Sequence, residues 1–261
     1  MVKCVTYKED MSFMIERNRI LNMEFDDSVQ GYNYIDGLFA IGYYLYLMVI
    51  LYVFGVVSFK TDLMSNMYRA FPKMNEQFVQ NIYYIPVTII MLLPVFIMML
   101  LKKQKWDSIG IKGTKIAKSI ALGILFSIPL VAPSFHYAIL NNKKFIPVEN
   151  MIWLFLYFFI EIALVEEISY RGFIQTRIQG LIKSKWLSII TVGVLFALSH
   201  IPFQMVRADK PLLDFIIQDS VHLLLTCAIH IYLVYLYTRD NNILSAIVAH
   251  ALIDFVPGMF Y

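Results

Sequence analysis

The side chains with chemical potential gather first between Glu161 and Gly172, in Glu-Ile-Ala-Leu-Val-Glu-Glu-Ile-Ser-Tyr-Arg-Gly. This stretch follows Met151 to Ile160, which carries neither a charge nor a side-chain amide. Placing ionisable groups beside such a run is expensive, because a charge at a bilayer centre costs about 2.5–3.5 kcal/mol on insertion scales. Residues of this kind face a bundle interior or water, and they mark functional sites. On a helix, Glu167 and Arg171 stand four apart in the acid-before-base order that favours pairing. Glu166 lies five before Arg171 and, at about 100° per residue, off that face. Glu167 therefore has a local partner and Glu166 has none, which singles out Glu166 as the carboxylate for acid–base chemistry.

Two later stretches answer the acidic one. Phe196-Ala-Leu-Ser-His200 sits near the end of one apolar run, and His250-Ala-Leu-Ile-Asp254 lies in the last. Each pair is spaced four apart and so shares a helix face. Two histidines and an aspartate have few reasons to be in apolar helices unless they meet one another or a ligand. His222 and His230, eight apart on another run, are expected as packing or pore-lining residues, and Glu161 has no assigned role.

The ordered trio Glu166-Glu167-x-x-x-Arg171-Gly172, Phe196-x-x-x-His200 and His250-x-x-x-Asp254 resembles the CPBP (Abi) family of intramembrane proteases. That family includes type II CAAX prenyl endopeptidases and bacterial bacteriocin-processing or self-immunity proteins. The resemblance runs from about Trp153 to Asp254. It implies that Glu166 and His200 hold and activate a water for attack on a peptide bond. It further implies that His250 and residue 254 stabilise the oxyanion, with Glu167, Arg171 and Phe196 in support. One departure stands out: the third motif usually ends in Asn, and here Asp254 takes its place. An ionised Asp cannot donate, so it would orient and charge His250, hold a proton itself, or join a metal site. Glu166, His200 and His250 could supply zinc with an N/O set and an open position. No His-Glu-x-x-His pair is present, which favours water activation without a metal.

The elements that must position these groups follow from the composition. The 261-residue chain is 59% hydrophobic, 15% aromatic and only 16% charged, with a mean hydropathy of +0.64. Soluble domains average roughly 45–50% apolar and about 25% charged. An all-α, polytopic membrane bundle of about seven to eight helices, with the site inside it, is expected. Spans are expected at about Gly37 to Phe59, Ile82 to Leu101, Ile116 to Leu140, from Met151 through the acidic motif, Trp186 to Phe203, and Phe215 to Tyr237. Ile243 to Val256 is short enough to be a core-buried helix or a partial span. Lys60 to Gln80 reads as a polar loop, and Phe173 to Lys183 as an interfacial or re-entrant amphipathic helix. The chain thus divides into a cytosolic or interfacial tail (1–36), N-terminal transmembrane helices (37–140) and the CPBP-like core (141–261).

With the N-terminus inside, Lys and Arg fall in inner segments over outer ones by about two to one. This orientation puts the acidic motif towards the cytosolic leaflet. The Lys102 to Lys118 segment, with Trp106 beside it, suits an inner-leaflet anchor. Cys4 and Cys227 form no disulfide pattern. The abundance of Ile, Lys and Met suits a bacterial cell membrane. The expected partners are the bilayer and a hydrophobic or lipid-anchored peptide, with no nucleic acid. Two other classes compete: a non-catalytic scaffold or bacteriocin self-immunity protein that binds a partner, and a proton or ion transporter built on intramembrane Glu, His and Asp.

Overall fold

The computed structural model describes residues 22–261. The polar tail up to residue 21, with Cys4, lies outside the described residues. Eight helices follow: α1 Tyr34–Lys60, α2 Leu63–Ala70, α3 Glu76–Leu101, α4 Ile116–Leu140, the composite rod α5 over residues 148–178, α6 Lys185–Arg207, α7 Leu212–Tyr237 and α8 Ile243–Phe255. Five of them, α1, α3, α4, α6 and α7, are long and apolar enough to cross a membrane. Among the described residues there is no strand, only an isolated bridge between Phe145 and Phe260. The chain is a multi-pass, all-α membrane protein. Its outer faces carry bare apolar side chains such as Leu100, Ile139, Ile217 and Leu224, as lipid contact requires.

Five of the six expected spans reappear as membrane-length apolar helices; the stretch from Met151 lies in α5, and two further segments differ. The loop after α1 contains the short helix α2, none of whose residues is buried. Residues 173–178 are packed inside the protein. They continue α5 into the interior, with Phe173, Ile174, Gln175, Thr176 and Arg177 all buried. The polar side chains there are satisfied from within: Arg177 reaches Gln104 Oε1 at 2.5 Å and stacks over Phe173 and Tyr32. The helix ends at Ile178, and the expected amphipathic stretch continues through a turn to the exposed Lys183.

α5 is the unusual element. Tyr157–Leu164 and Glu167–Ile174 are π-helical, separated only by Val165 and Glu166. Such i→i+5 segments are rare and concentrate at functional sites. α8 is only 13 residues long, and Ala246, Ala249 and Ala251 are fully buried; it is a core helix, packed most extensively against α4. Gly123 makes that contact close, since a Cβ there would lie 2.7 Å from the Ser245 carbonyl oxygen. Prolines lie inside α3, α4 and α6 without ending them. Pro94 has no N–H for the Ile90 carbonyl, and Tyr46 on α1 donates its hydroxyl to that oxygen at 2.8 Å.

Residues 22–33 pack onto the bundle, with Met23, Phe25 and Val29 buried. Asp26 accepts from Ser28 N and pairs with Lys112, while its own N–H donates to Asn241 Oδ1 at 3.1 Å. Of the basic segment, Lys102 and Lys112 are thus tied to Asp36 and Asp26, and Trp106 remains half exposed.

Candidate active site

α5, α6 and α8 bring their ionisable residues to one cavity of about 340 Å³, closed by α1, α3 and α7. Glu166, His200, His250 and Asp254 all line it. So do Phe196 and, from outside the expected set, Glu161, His222, Tyr84 and Tyr157. The volume is in the usual range for ligand pockets, about 300–1,000 Å³.

Glu167 organises one wall. It is fully buried, as is Arg171, and Arg171 Nη1 lies 2.9 Å from Glu167 Oε1. The i,i+4 pair expected from sequence is present. The same carboxylate oxygen also lies 2.7 Å from His250 Nδ1, a contact between helices that spacing within one helix cannot reveal. Because a carboxylate only accepts, Nδ1 must carry the proton. His250 Nε2 then faces Asp254 Oδ2 at 3.3 Å and Glu166 Oε2 at 3.8 Å. The ring therefore stands between three carboxylates from two helices.

Phe196 explains the Phe-x-x-x-His spacing. Its ring carries the Arg171 guanidinium on one face at 4.3 Å, meets the His200 ring at 5.0 Å and lies 6.4 Å from the His250 ring. The phenyl quadrupole gives the buried cation a second partner besides Glu167. His200 Nδ1 lies 2.9 Å from the Phe196 carbonyl oxygen. A carbonyl also only accepts, so Nδ1 carries the proton and Nε2 keeps its lone pair for an incoming proton.

Glu166 is held differently from its neighbour. Its side chain is 22% exposed, it lines the cavity, and its Oε2 is sealed from solvent without a hydrogen-bond partner. Gly172, at the end of the motif, allows close approach of the chain before α4: a Cβ there would lie 2.7 Å from the Ile109 carbonyl oxygen.

His222 and His230 divide between the two roles expected for them. His230 is fully buried with Nε2 3.1 Å from Gln175 Oε1. His222 lines the cavity with its Nδ1 2.8 Å from Asp219 Oδ2 and its ring 6.1 Å from that of His200. An Asp three before a His in an apolar helix was the available sign. Glu161 had none, because its alignment with Glu166 depends on π-helical winding.

Among the described residues no three His, Cys, Asp or Glu side chains are grouped as a metal site. Glu166, His200 and His250 share the cavity without being grouped as a three-donor set.

No curated protein and no solved structure matches the chain. Residues 148–256, which hold all three motifs, match the family model described as type II CAAX prenyl endopeptidase Rce1-like, so this segment is similar to CAAX-type proteases.

Proposed function

We propose that the protein is an intramembrane endopeptidase that cuts a hydrophobic or lipid-anchored peptide with a water activated by Glu166 and His200. The observation that carries this reading is Glu166, whose Oε2 is sealed from solvent and without a hydrogen-bond partner, on a cavity it shares with His200 and His250. A water there gives one proton to Glu166 and is oriented by donating its other O–H to the lone pair of His200 Nε2. The resulting hydroxide attacks the scissile carbonyl. The oxyanion that develops is met by His250 Nε2, which is 3.8 Å from Glu166 and turned into the site by Glu167. Glu166 then returns its proton to the leaving amine, so that one water and one amide become an acid and an amine.

Asp254 fits this scheme as the group that orients and charges His250. With carboxylates facing both ring nitrogens, both contacts are made as hydrogen bonds when the ring is the doubly protonated imidazolium. That cation suits a developing negative charge. The aromatic cavity walls suit a peptide delivered from the bilayer, and the Lys/Arg distribution supports a cytosolic N-terminus and motif in what we read as a bacterial cell membrane.

The test compares membrane and secreted peptides by mass spectrometry in cells making wild type or Glu166→Gln at matched levels. New termini should appear with the wild type alone. Coincident profiles, with a wild-type phenotype that survives the substitution, would instead assign a partner-binding role such as self-immunity.

A further inference from the structure

The cavity holds a carboxylate that the proposed hydrolysis does not use. Glu161 is 7% exposed, lines the cavity, and has an Oε2 that is sealed and without a hydrogen-bond partner. Among the described residues no Lys, Arg or His pairs with it. Arg207, which lines the same cavity, makes no ion pair with Glu161. In regular α-helix Glu161 and Glu166 would point to well-separated faces. The π-helical winding of Tyr157–Leu164 brings residues five apart towards one side, and both carboxylates open to one space. A buried carboxylate without a donor is costly to keep, and an unpaired ionisable group in a membrane interior is a functional candidate.

We infer that Glu161 is a specificity residue, seating a Lys or Arg side chain of the peptide beside the bond presented to Glu166. The inference rests on the endopeptidase reading for the identity of its occupant. A carboxylate only accepts, and the donor that returns most in a water-poor cavity is a cation. The surrounding wall is built for one. Tyr84, Tyr157 and Phe158 line the cavity, with ring centroids 5.2 Å apart for Tyr84–Tyr157 and 5.1 Å for Tyr157–Phe158. Their rings offer apolar surface to the alkyl stem of Lys or Arg and π-faces to its charge.

The experiment measures binding on the purified full chain carrying Glu166→Gln, which removes turnover and the neighbouring charge together. The probes are ten-residue Leu- and Phe-rich peptides identical except for one central Lys, Arg, norleucine or Gln. The Lys and Arg peptides should bind at least about tenfold more tightly than the norleucine peptide, the scale of one charge-assisted hydrogen bond. Adding Glu161→Gln should erase that difference while leaving norleucine affinity unchanged. Glu161→Met, of similar volume, repeats the comparison if the Gln variant does not fold. Equal binding of Lys and norleucine peptides, absence of binding by the cationic peptides, or a preference that survives loss of Glu161 would each overturn the assignment. Because nothing is cleaved, this result is independent of the peptide-profile test of the endopeptidase reading.

Discussion

Glu167 Oε1 lies 2.7 Å from His250 Nδ1, so the second carboxylate of the Glu-Glu pair on α5 holds the histidine of α8. The same oxygen takes Arg171 at 2.9 Å. Glu167→Gln should lower turnover by roughly 10²–10⁴-fold, because an amide no longer fixes the ring tautomer. It should also cost about 3–5 kcal/mol of stability, since Arg171 becomes a buried charge without its carboxylate. Combining Glu167→Gln with Arg171→Met removes that charge and should recover most of the stability but none of the activity. Thermal unfolding in detergent and peptide cleavage rates separate the two effects. Restored turnover in the double variant would show that Glu167 has no hold on His250.

The sequence made Glu167 legible as the partner of Arg171 because both lie on one helix, four residues apart. Its contact with His250 was not, because 83 residues separate them and only packing of α5 on α8 joins them. The spans were legible from apolar runs of bilayer length, and the short α8 from its insufficient length. Within the expected amphipathic segment Phe173 to Lys183, the polar spacing of Gln175, Gln179 and Lys183 did not reveal that Gln175 and Arg177 are buried. In the fold they meet His230 and Gln104 inside the protein. Glu161 stayed without a role for a different reason: spacing arguments assume α-helical winding, and α5 departs from it on both sides of Glu166.

Asp254 distinguishes an orienting role from a donating one. Its Oδ2 lies 3.3 Å from His250 Nε2, and Asn at this position keeps an acceptor oxygen within the same reach. Asp254→Asn should retain activity within about tenfold, whereas Asp254→Leu, with neither charge nor acceptor, should lose about 10²-fold. Equal losses in both variants would assign the effect to the negative charge alone. The readout is the cleavage rate at saturating peptide.

Packing of α4 on α8 should matter to chemistry even where no site residue is touched. Gly123→Leu drives a side chain into the Ser245 carbonyl and Val248, the next-but-one residue before His250. The expected cost is about 1–3 kcal/mol from overpacking, with reduced turnover as α8 shifts. Gly42→Leu is the control, since a Cβ at Gly42 meets nothing within 4 Å. Its melting temperature and activity should stay at wild-type values.

The proline in α3 sets up a last test in which one defect repairs another. Tyr46 donates to the Ile90 carbonyl at 2.8 Å, the oxygen that Pro94 leaves without its helical donor. Tyr46→Phe should destabilise by about 1–3 kcal/mol, because in a water-poor surrounding that carbonyl finds no replacement. In a Pro94→Ala background, the backbone N–H gained at position 94 closes the α3 hydrogen bond to Ile90, and Tyr46→Phe should cost little. The double-mutant cycle, followed by thermal unfolding in one detergent, should thus give an interaction energy close to the single Tyr46→Phe loss. Additive losses would show that the tyrosine stabilises α1 against α3 by packing and not by satisfying the freed carbonyl.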